Sequence, residues 1–537
     1  MRVDEVHAAC SFCLIIVAMT FPSKENLPAN GVIRRNCGPF SSSQARGKID
    51  APDITRKTVA GVVSPHSGKA RETNILNPGW PMNLLRLSSH LAPVLAGLVL
   101  TLATSSVQAQ HGAILVGAGA TNRSMGGAST AAPLGPAGAL FWNPATLSGL
   151  ERSELEIGAE LLFPDTSVRS SVAANALGLG LPPIGLTGST VSDSGAYALP
   201  TLALAYRPEG SNLTCGLGIF AVAGFGTDYP GSTSNPLLTP RPPAGLGIGP
   251  VFSDYQVLQI QPALSYQVTE RLSIGAGPTA NLATLRVDPF LGAAPDDANG
   301  NGVFTYPQAN HNETTWGGGF SVGAFYQGDG WAVGVSYKSE QWFDTFRFNS
   351  ADELGRPRKL TFGLDLPSIV SLGLAYTGLE RWVLAADVRY IDYESANGFG
   401  NHGFNPDGSV KGLGFRSILA GSLGAQFQLS DAISLRAGYI LNENPVREDL
   451  SFLGTVAPVL IQHTLTLGAS WRVTPDFTLS AAYLHAFENS ISGPLLVPAG
   501  PLAGTSIQNT ASADAFVIGA SVKFGCVRRC VPVCEGE

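Results

Sequence analysis

From residue 150 onward the chain repeats one theme: about ten or more residues in which apolar positions alternate with small or polar ones, then a connection. In "HTLTLGASWRV", Leu465, Leu467, Ala469, Trp471 and Val473 fall on one face, opposite Thr464, Thr466, Gly468, Ser470 and Arg472. In "RWVLAADVRY", Trp382, Leu384, Ala386, Val388 and Tyr390 oppose Val383, Ala385, Asp387 and Arg389. "GWAVGVSYK" sets Trp331, Val333, Val335 and Tyr337 against Ala332, Gly334, Ser336 and Lys338, and "SLRAGYIL" sets Leu435, Ala437, Tyr439 and Leu441 against Ser434, Arg436, Gly438 and Ile440. A period of two with one greasy face is a half-buried strand. A soluble sandwich would cover that face with a second sheet. A membrane barrel turns it to lipid, with aromatics gathered near strand ends, as Trp331, Trp382, Tyr390 and Trp471 are here.

The pattern predicts fourteen strands, at 153–170, 195–208, 213–228, 255–269, 271–290, 313–328, 330–349, 368–379, 381–395, 415–429, 432–446, 460–474, 477–491 and 513–524. Their connections alternate in length. Six are tight (Pro208–Leu213, Thr269–Arg271, Gly328–Gly330, Leu379–Arg381, Leu429–Ala432, Thr474–Phe477), and seven are long (171–194, 229–254, 291–312, 350–367, 396–414, 447–459, 492–512). That alternation predicts an all-β fold, a transmembrane antiparallel up-and-down β-barrel of about fourteen strands with both ends on the short-turn side. The last strand ends on Phe524, an aromatic.

Residues 111–150 break the pattern. They are rich in Gly, Ala and Pro, too apolar for a tail in water and too irregular for lipid, which tolerates no unpaired backbone. A plug inside the barrel satisfies both demands, and a fourteen-strand barrel has room for one. Within this segment "FWNPATLSGL" puts an Asn143-Pro144-Ala145 turn between Phe141, Trp142, Leu147 and Leu150. Enclosed by barrel walls, those apolar side chains have surfaces to pack on, and Pro144 removes one backbone donor that would need a partner.

Composition supports the membrane reading. Only 14% of the 537 residues are charged, and 63 are Gly, against roughly 25% charged in ordinary soluble domains. No run of 18 apolar residues follows residue 110, so the excess is not in transmembrane helices. The formal net charge of −7 divides into +4 over residues 1–81 and −12 from residue 110 onward, which excludes a basic nucleic-acid surface. The seven cysteines cluster at Cys10, Cys13 and Cys37 and at Cys526, Cys530 and Cys534, with Cys215 alone between, which is not a disulfide framework.

Residues 82–109, "MNLLRLSSHLAPVLAGLVLTLATSSVQA", have the three parts of a secretory signal: Arg86, an apolar core from Leu91 to Leu102, and Val107-Gln108-Ala109 before Gln110. On this reading Met82 is the physiological start, and 1–81 is a spurious or atypical extension. The alternative signal core, Cys13–Phe21, follows Asp4 and Glu5, a poor start for a signal. The expected organisation is a signal at 82–109, a plug at 110–150, a barrel at 151–524 and a cysteine-containing tail at 525–537.

The stretch "GAGATNRSMGGAS…ALFWNPATLSGL…E…GAELLFPD" resembles the start of the FadL/TodX family of outer-membrane transporters of long-chain fatty acids and other hydrophobic compounds. The family's Gly-Gly-Ala-type plug stretch is matched by Gly126, Gly127 and Ala128, and its Asn-Pro-Ala motif by Asn143, Pro144 and Ala145. "LPSIVSLGLAYTGLERWVLAADVRYIDYES" and "LRAGYILNENPV" followed by "TLGASWRVTPDFTLSAAYLH" extend the resemblance over 111–524. Two departures stand out: no acidic residue precedes the Asn-Pro-Ala in "TAAPLGPAGALFW", and thirteen residues follow Phe524. The resemblance implies passive uptake of hydrophobic molecules into the cell's outer membrane, a plug that rearranges, and a lateral exit through the wall. It implies no cofactor. The partners expected are outer-membrane lipid, a hydrophobic small molecule and the barrel-assembly machinery, with the chain a monomer. The alternative is a general porin, or a structural barrel, for polar solutes; a porin should line its lumen with many charges, whereas the inward sets here are largely Gly, Ala, Ser and Thr.

No catalytic constellation is visible, so no enzyme is expected. His111, His311, His402, His463 and His485 lack metal-ligand spacing, with His463 and His485 read at strand ends. "DDANGNG" opens like a calcium loop, but Gln308 stands where the bidentate Glu belongs, which favours a turn cluster. Parity places Arg389, Arg436 and Arg472 in the lumen, where a cargo carboxylate would find a partner, beside Phe141 and Trp142. Apolar loop stretches, "ANALGLGLPPIGLTG" and "GPLLVPAGPLAG", suit the collection of greasy solutes. Gly224 and Gly226 in "AVAGFG" mark the expected bend for a lateral exit, because internal Gly accompanies bulges.

Overall fold

The computed structural model describes residues 111–525, apart from 179, 242, 243 and 246. The expected extension, signal segment and Cys526, Cys530 and Cys534 lie outside the described residues. Two short helices, α1 (Ala120–Ser124) and α2 (Pro136–Trp142), and a 3₁₀ turn at Pro144–Gly149 precede the strands. The strands are β1 (Ser153–Val172), β2 (Leu186–Val191), β3 (Tyr197–Tyr206), β4 (Leu213–Tyr229), β5 (Val251–Gln267), β6 (Leu272–Asp288), β7 (Ala309–Gln327), β8 (Trp331–Lys338), β9 (Trp342–Phe343), β10 (Phe346–Ala351), β11 (Pro357–Phe362), β12 (Ser368–Tyr376), β13 (Trp382–Asp392), β14 (Ile418–Gln428), β15 (Ile433–Asn442), β16 (His463–Arg472), β17 (Phe477–Val497) and β18 (Gly500–Phe524).

Fourteen of them form one antiparallel barrel in sequence order, with β18 pairing back onto β1; β2 and β9 are short additions to β1 and β7. Closure removes the sheet edges that lipid could not satisfy. The alternation read from the sequence sorts residues as expected. Ile518, Leu372 and Leu467 point outward, as do Trp331, Trp382, Tyr390 and Trp471 near strand ends, while Ile440, Ser422 and Thr466 are buried inside.

Three expected boundaries are corrected. The strand expected at 330–349 stops at Lys338, and the chain then forms β9 and an off-barrel hairpin of β10 with β11. The loop expected at 492–512 is the far part of a long β17–β18 hairpin, which absorbs "GPLLVPAGPLAG". The loop expected at 171–194 contains β2, paired to β1. In each case the segment gains backbone partners, from a neighbouring strand or from its own hairpin, without the regular alternation of apolar and polar residues that marks the barrel strands. Residues 111–150 fill the lumen as a plug, with Ala137, Leu140, Phe141 and Leu147 almost wholly buried.

Candidate functional site

The plug backbone lies directly on the inner wall along β7, β8, β12 and β14–β16. A Cβ at Gly323 would collide with the Asn143 side chain, and one at Gly334 with the Thr130 carbonyl. Gly424 and Gly438 admit Met125 and Gly126 in the same way. Much of the chain's glycine content is therefore a seat for the plug. Gly126 and Gly127 themselves have φ of 64° and 74°, which side chains disfavour, and so make the plug's own turn.

Asn143 knits this seat together. Its Nδ2 donates to Thr130 O at 2.8 Å and to Ala324 O on β7 at 3.1 Å, while its Oδ1 accepts from Ala145 N at 3.1 Å. Pro144 follows at the first position of the 3₁₀ turn, where no donor is needed. Phe141 packs on Trp142 and Phe220, with ring centroids 4.8 and 5.2 Å apart.

A buried ion pair on β13 latches the plug. Asp387 Oδ2 accepts from Ser129 N at 2.9 Å, from Thr130 N at 3.0 Å and from Thr130 Oγ1 at 2.8 Å. Arg389, fully buried, donates to Asp387 at 2.5 Å, to Gly127 O at 2.9 Å and to Ser422 Oγ at 2.9 Å. Its guanidinium lies 3.7 Å from the Trp142 ring centroid, a stacked cation–π contact. His111 sits beside both Trp142 and Arg389, and burial together with the Arg389 charge holds its imidazole well below the usual histidine range. A second ion pair joins Arg123 of the plug to Glu160 of β1.

The first described residues cross the lumen. The Tyr393 hydroxyl, just past β13, donates to His111 O and accepts from Ile114 N at 3.1 Å. Next along, Leu115 N donates to Val222 O and Gly224 N to Ala113 O, both at 2.9 Å, on β4. This strap ties β13 to β4.

The wall itself is incomplete where the strap lands. β4 pairs with β5 along its length but with a register shift between Ala221 and Ala223. Its pairing with β3 runs only from Tyr206↔Cys215 to Thr201↔Phe220. Above that point Tyr197–Pro200 of β3 and Ala221–Gly226 of β4 have no ladder between them. One extra residue, Val222, bends the strand away at the place where pairing ends. A cavity of about 190 Å³ occupies the gap, lined by Leu115, Leu162, Leu199 and Phe225. Tyr255 and Val257 from the inner face of β5 line it, and so do Gln256 and Leu258 from the outer face. Residues of both faces of β5 thus contribute to its lining. No charged side chain among the described residues lines it.

The sequence-predicted residues fall into three groups. Gly126, Gly127, Ala128, Asn143, Pro144, Ala145, Phe141 and Trp142 lie together in the plug. Gly224 and Gly226 line the wall gap. The arginines separate. Arg389 is held by Asp387. Arg436 is inside, donating to Gln426 and Ser470 at 2.7 and 2.5 Å, within electrostatic reach of Glu156. Arg472 is corrected: it is exposed at the end of β16, because inward parity at the last residue of a strand points past the rim. His485 is also corrected from a strand end to the middle of β17, where it contacts Asp514 at 2.8 Å. In "DDANGNG" the Asp297 and Asn299 side chains accept from backbone N–H groups of their own turn. Sequence reasoning missed Asp387, Tyr393, Leu115 and Lys338. The inward parity of Asp387 and Lys338 was the signal that pointed to them.

Comparisons with known proteins agree with this architecture. The family model described as "Outer membrane protein transport protein (OMPP1/FadL/TodX)" matches residues 101–525. The fold is similar to the Pseudomonas putida toluene transporter TodX at 21% identity and TM-score 0.57, covering 76% of this chain and 99% of that one. It is similar to the Ralstonia pickettii toluene transporter TbuX at 20% identity and TM-score 0.56, with 76% and 99% covered. A Pseudomonas aeruginosa FadL homologue gives 17% identity and TM-score 0.56, with 77% and 100% covered. No curated protein sequence matches the chain. A closed fourteen-strand barrel with a lumenal plug and a family match across both parts make the chain a member of the OMPP1/FadL/TodX family of outer-membrane transport proteins.

Proposed function

We propose that this barrel takes up hydrophobic small molecules passively and releases them sideways into the outer membrane through the β3–β4 gap. The observation that carries the reading is the cavity lined by both faces of the wall. A solute there can leave the lumen without crossing the plug. The cavity's uncharged lining suits such a cargo, since each methylene leaving water gains about 0.8 kcal/mol. An apolar cavity of roughly 150 Å³ elsewhere takes up benzene, so about 190 Å³ holds one small ring or a short chain segment. The strap at Ala113–Leu115 acts as the gate, because its two hydrogen bonds to β4 lie against this cavity. No cofactor or energy source enters; the gradient and partition into lipid drive net flow.

The test is uptake of radiolabelled toluene and oleate by cells that lack their own hydrophobic-compound channels, with and without this chain. Faster uptake of at least one compound is expected, and unchanged uptake of both contradicts the reading. Deleting residues 111–150 is expected to raise single-channel conductance in planar bilayers.

A further inference from the structure

Two cavities follow one another along β4, β5 and β6. On β6 the wall cavity of about 190 Å³ reaches Thr284, and a second cavity, of about 60 Å³, begins at Leu285. The second lies toward the long connections and is lined by Val287, Phe290, Phe362, Leu413 and Val456. Among the described residues it has no polar side chain in its lining. Phe225 is the one described residue that lines both cavities.

The strand register accounts for this position. Phe225 stands opposite Tyr255 on β5, and Tyr255 stands opposite Leu285 on β6. Residues directly opposite in a ladder share a face, so the three form one row across the inner wall. Tyr255 belongs to the lining of the wall cavity and Leu285 to that of the second. The Phe225 ring packs on Tyr255 with centroids 5.0 Å apart and meets Phe399 at 6.5 Å. Its anchorage is light on the other side, since β4 has no ladder to β3 at this level. Gly224 and Gly226 flank it in sequence, and glycine leaves the backbone the widest freedom. The strap's hydrogen bond from Gly224 N to Ala113 O is the tether next to the ring.

We infer that the Phe225 side chain is a partition between the two cavities and sets the largest cargo the barrel accepts. This rests on the uptake reading above. The wall cavity alone holds one small ring, so a larger hydrocarbon must extend into the second cavity to fit. The volume it needs there is the volume the Phe225 ring occupies. A single-ring solute passes once the ring has turned aside and lets it close behind. A cargo of several fused rings holds the partition open along its whole length, against the packing on Tyr255.

The experiment compares uptake of radiolabelled phenanthrene, with three fused rings, with that of toluene, with one. Both are neutral, so size alone separates them. The wild-type chain should favour toluene. Phe225→Ala is expected to raise the phenanthrene-to-toluene ratio about tenfold, the scale on which apolar pocket bulk discriminates. Phe225→Leu, which keeps part of the bulk, should raise it by less. Phe399→Ala removes a ring of the same cluster that lines neither cavity, and should leave the ratio as in the wild type. Continued toluene uptake shows that each variant has assembled. A ratio unchanged in both Phe225 variants overturns the partition, and so does an equal rise in Phe399→Ala. A wild-type chain that carries the two compounds at equal rates overturns it too; all three results leave the uptake reading standing. A wild-type chain that carries neither compound overturns the partition, and the uptake reading falls with it where oleate uptake is also unchanged.

Discussion

The two sides of the lumen are built on opposite plans. Along β7, β8, β12 and β14–β16 the wall presents glycines, and the plug's backbone sits on them with Asp387, Arg389 and Asn143 as fasteners. At β3–β4 the wall lacks a ladder, the nearest plug residues touch it through two backbone hydrogen bonds, and apolar side chains surround a cavity. One side is arranged to hold, the other to yield. The strap from His111 to Leu115 joins them.

The comparison can be broken at its strongest point first. Asp387→Asn leaves Arg389 buried without its counter-charge, a change that costs about 3–5 kcal/mol. The plug should detach from β13, seen as a several-fold rise in planar-bilayer conductance, while the barrel keeps its heat-modifiable gel mobility. Gly334→Val should act in the same direction by driving a side chain into Thr130, at a cost of about 1–3 kcal/mol. Tyr393→Phe removes both hydroxyl contacts to the strap, about 1 kcal/mol each. Brief openings should become several-fold more frequent, without the steady leak of the first variant.

Acid supplies a smaller perturbation. His111 is held neutral in place, so the released strap binds a proton more readily than the docked one. Docking is therefore fully stable above about pH 6.5 and weakens as pH falls below it. Openings should increase between pH 7.5 and 5, and His111→Asn should flatten that dependence. At the bottom of the scale, Arg472→Ala should leave conductance and uptake unchanged, since its side chain is exposed at the strand end.

Much of the barrel was legible in the chain because lipid imposes a period-two code on every strand. Leu465, Leu467 and Trp471 declare their face without any knowledge of neighbours. The same code fails beyond the barrel strands, and for that reason the β17–β18 extension and β11 read as loops and most of β10 as the end of a barrel strand. The plug motif was readable for a different reason: the apolar residues around Asn143 needed enclosure. Its fasteners were not. Asp387 and Ser129 are 258 residues apart, and nothing local tells a lumenal carboxylate that lines water from one that grips a backbone. The bend at Gly224 could be guessed from glycine, but the loss of pairing with β3 depends on a register shift that only the assembled sheet reveals.

The central claim, that cargo leaves through the β3–β4 gap, is tested most directly by deleting Val222. Removing the extra residue restores the register of β4 against β5 and lets the strand run straight beside β3. The measurement is uptake of radiolabelled toluene and decanoate by cells carrying the deletion variant, with gel mobility confirming a folded barrel. The account predicts uptake near that of cells without the chain. Uptake at the wild-type rate through a folded barrel would contradict it.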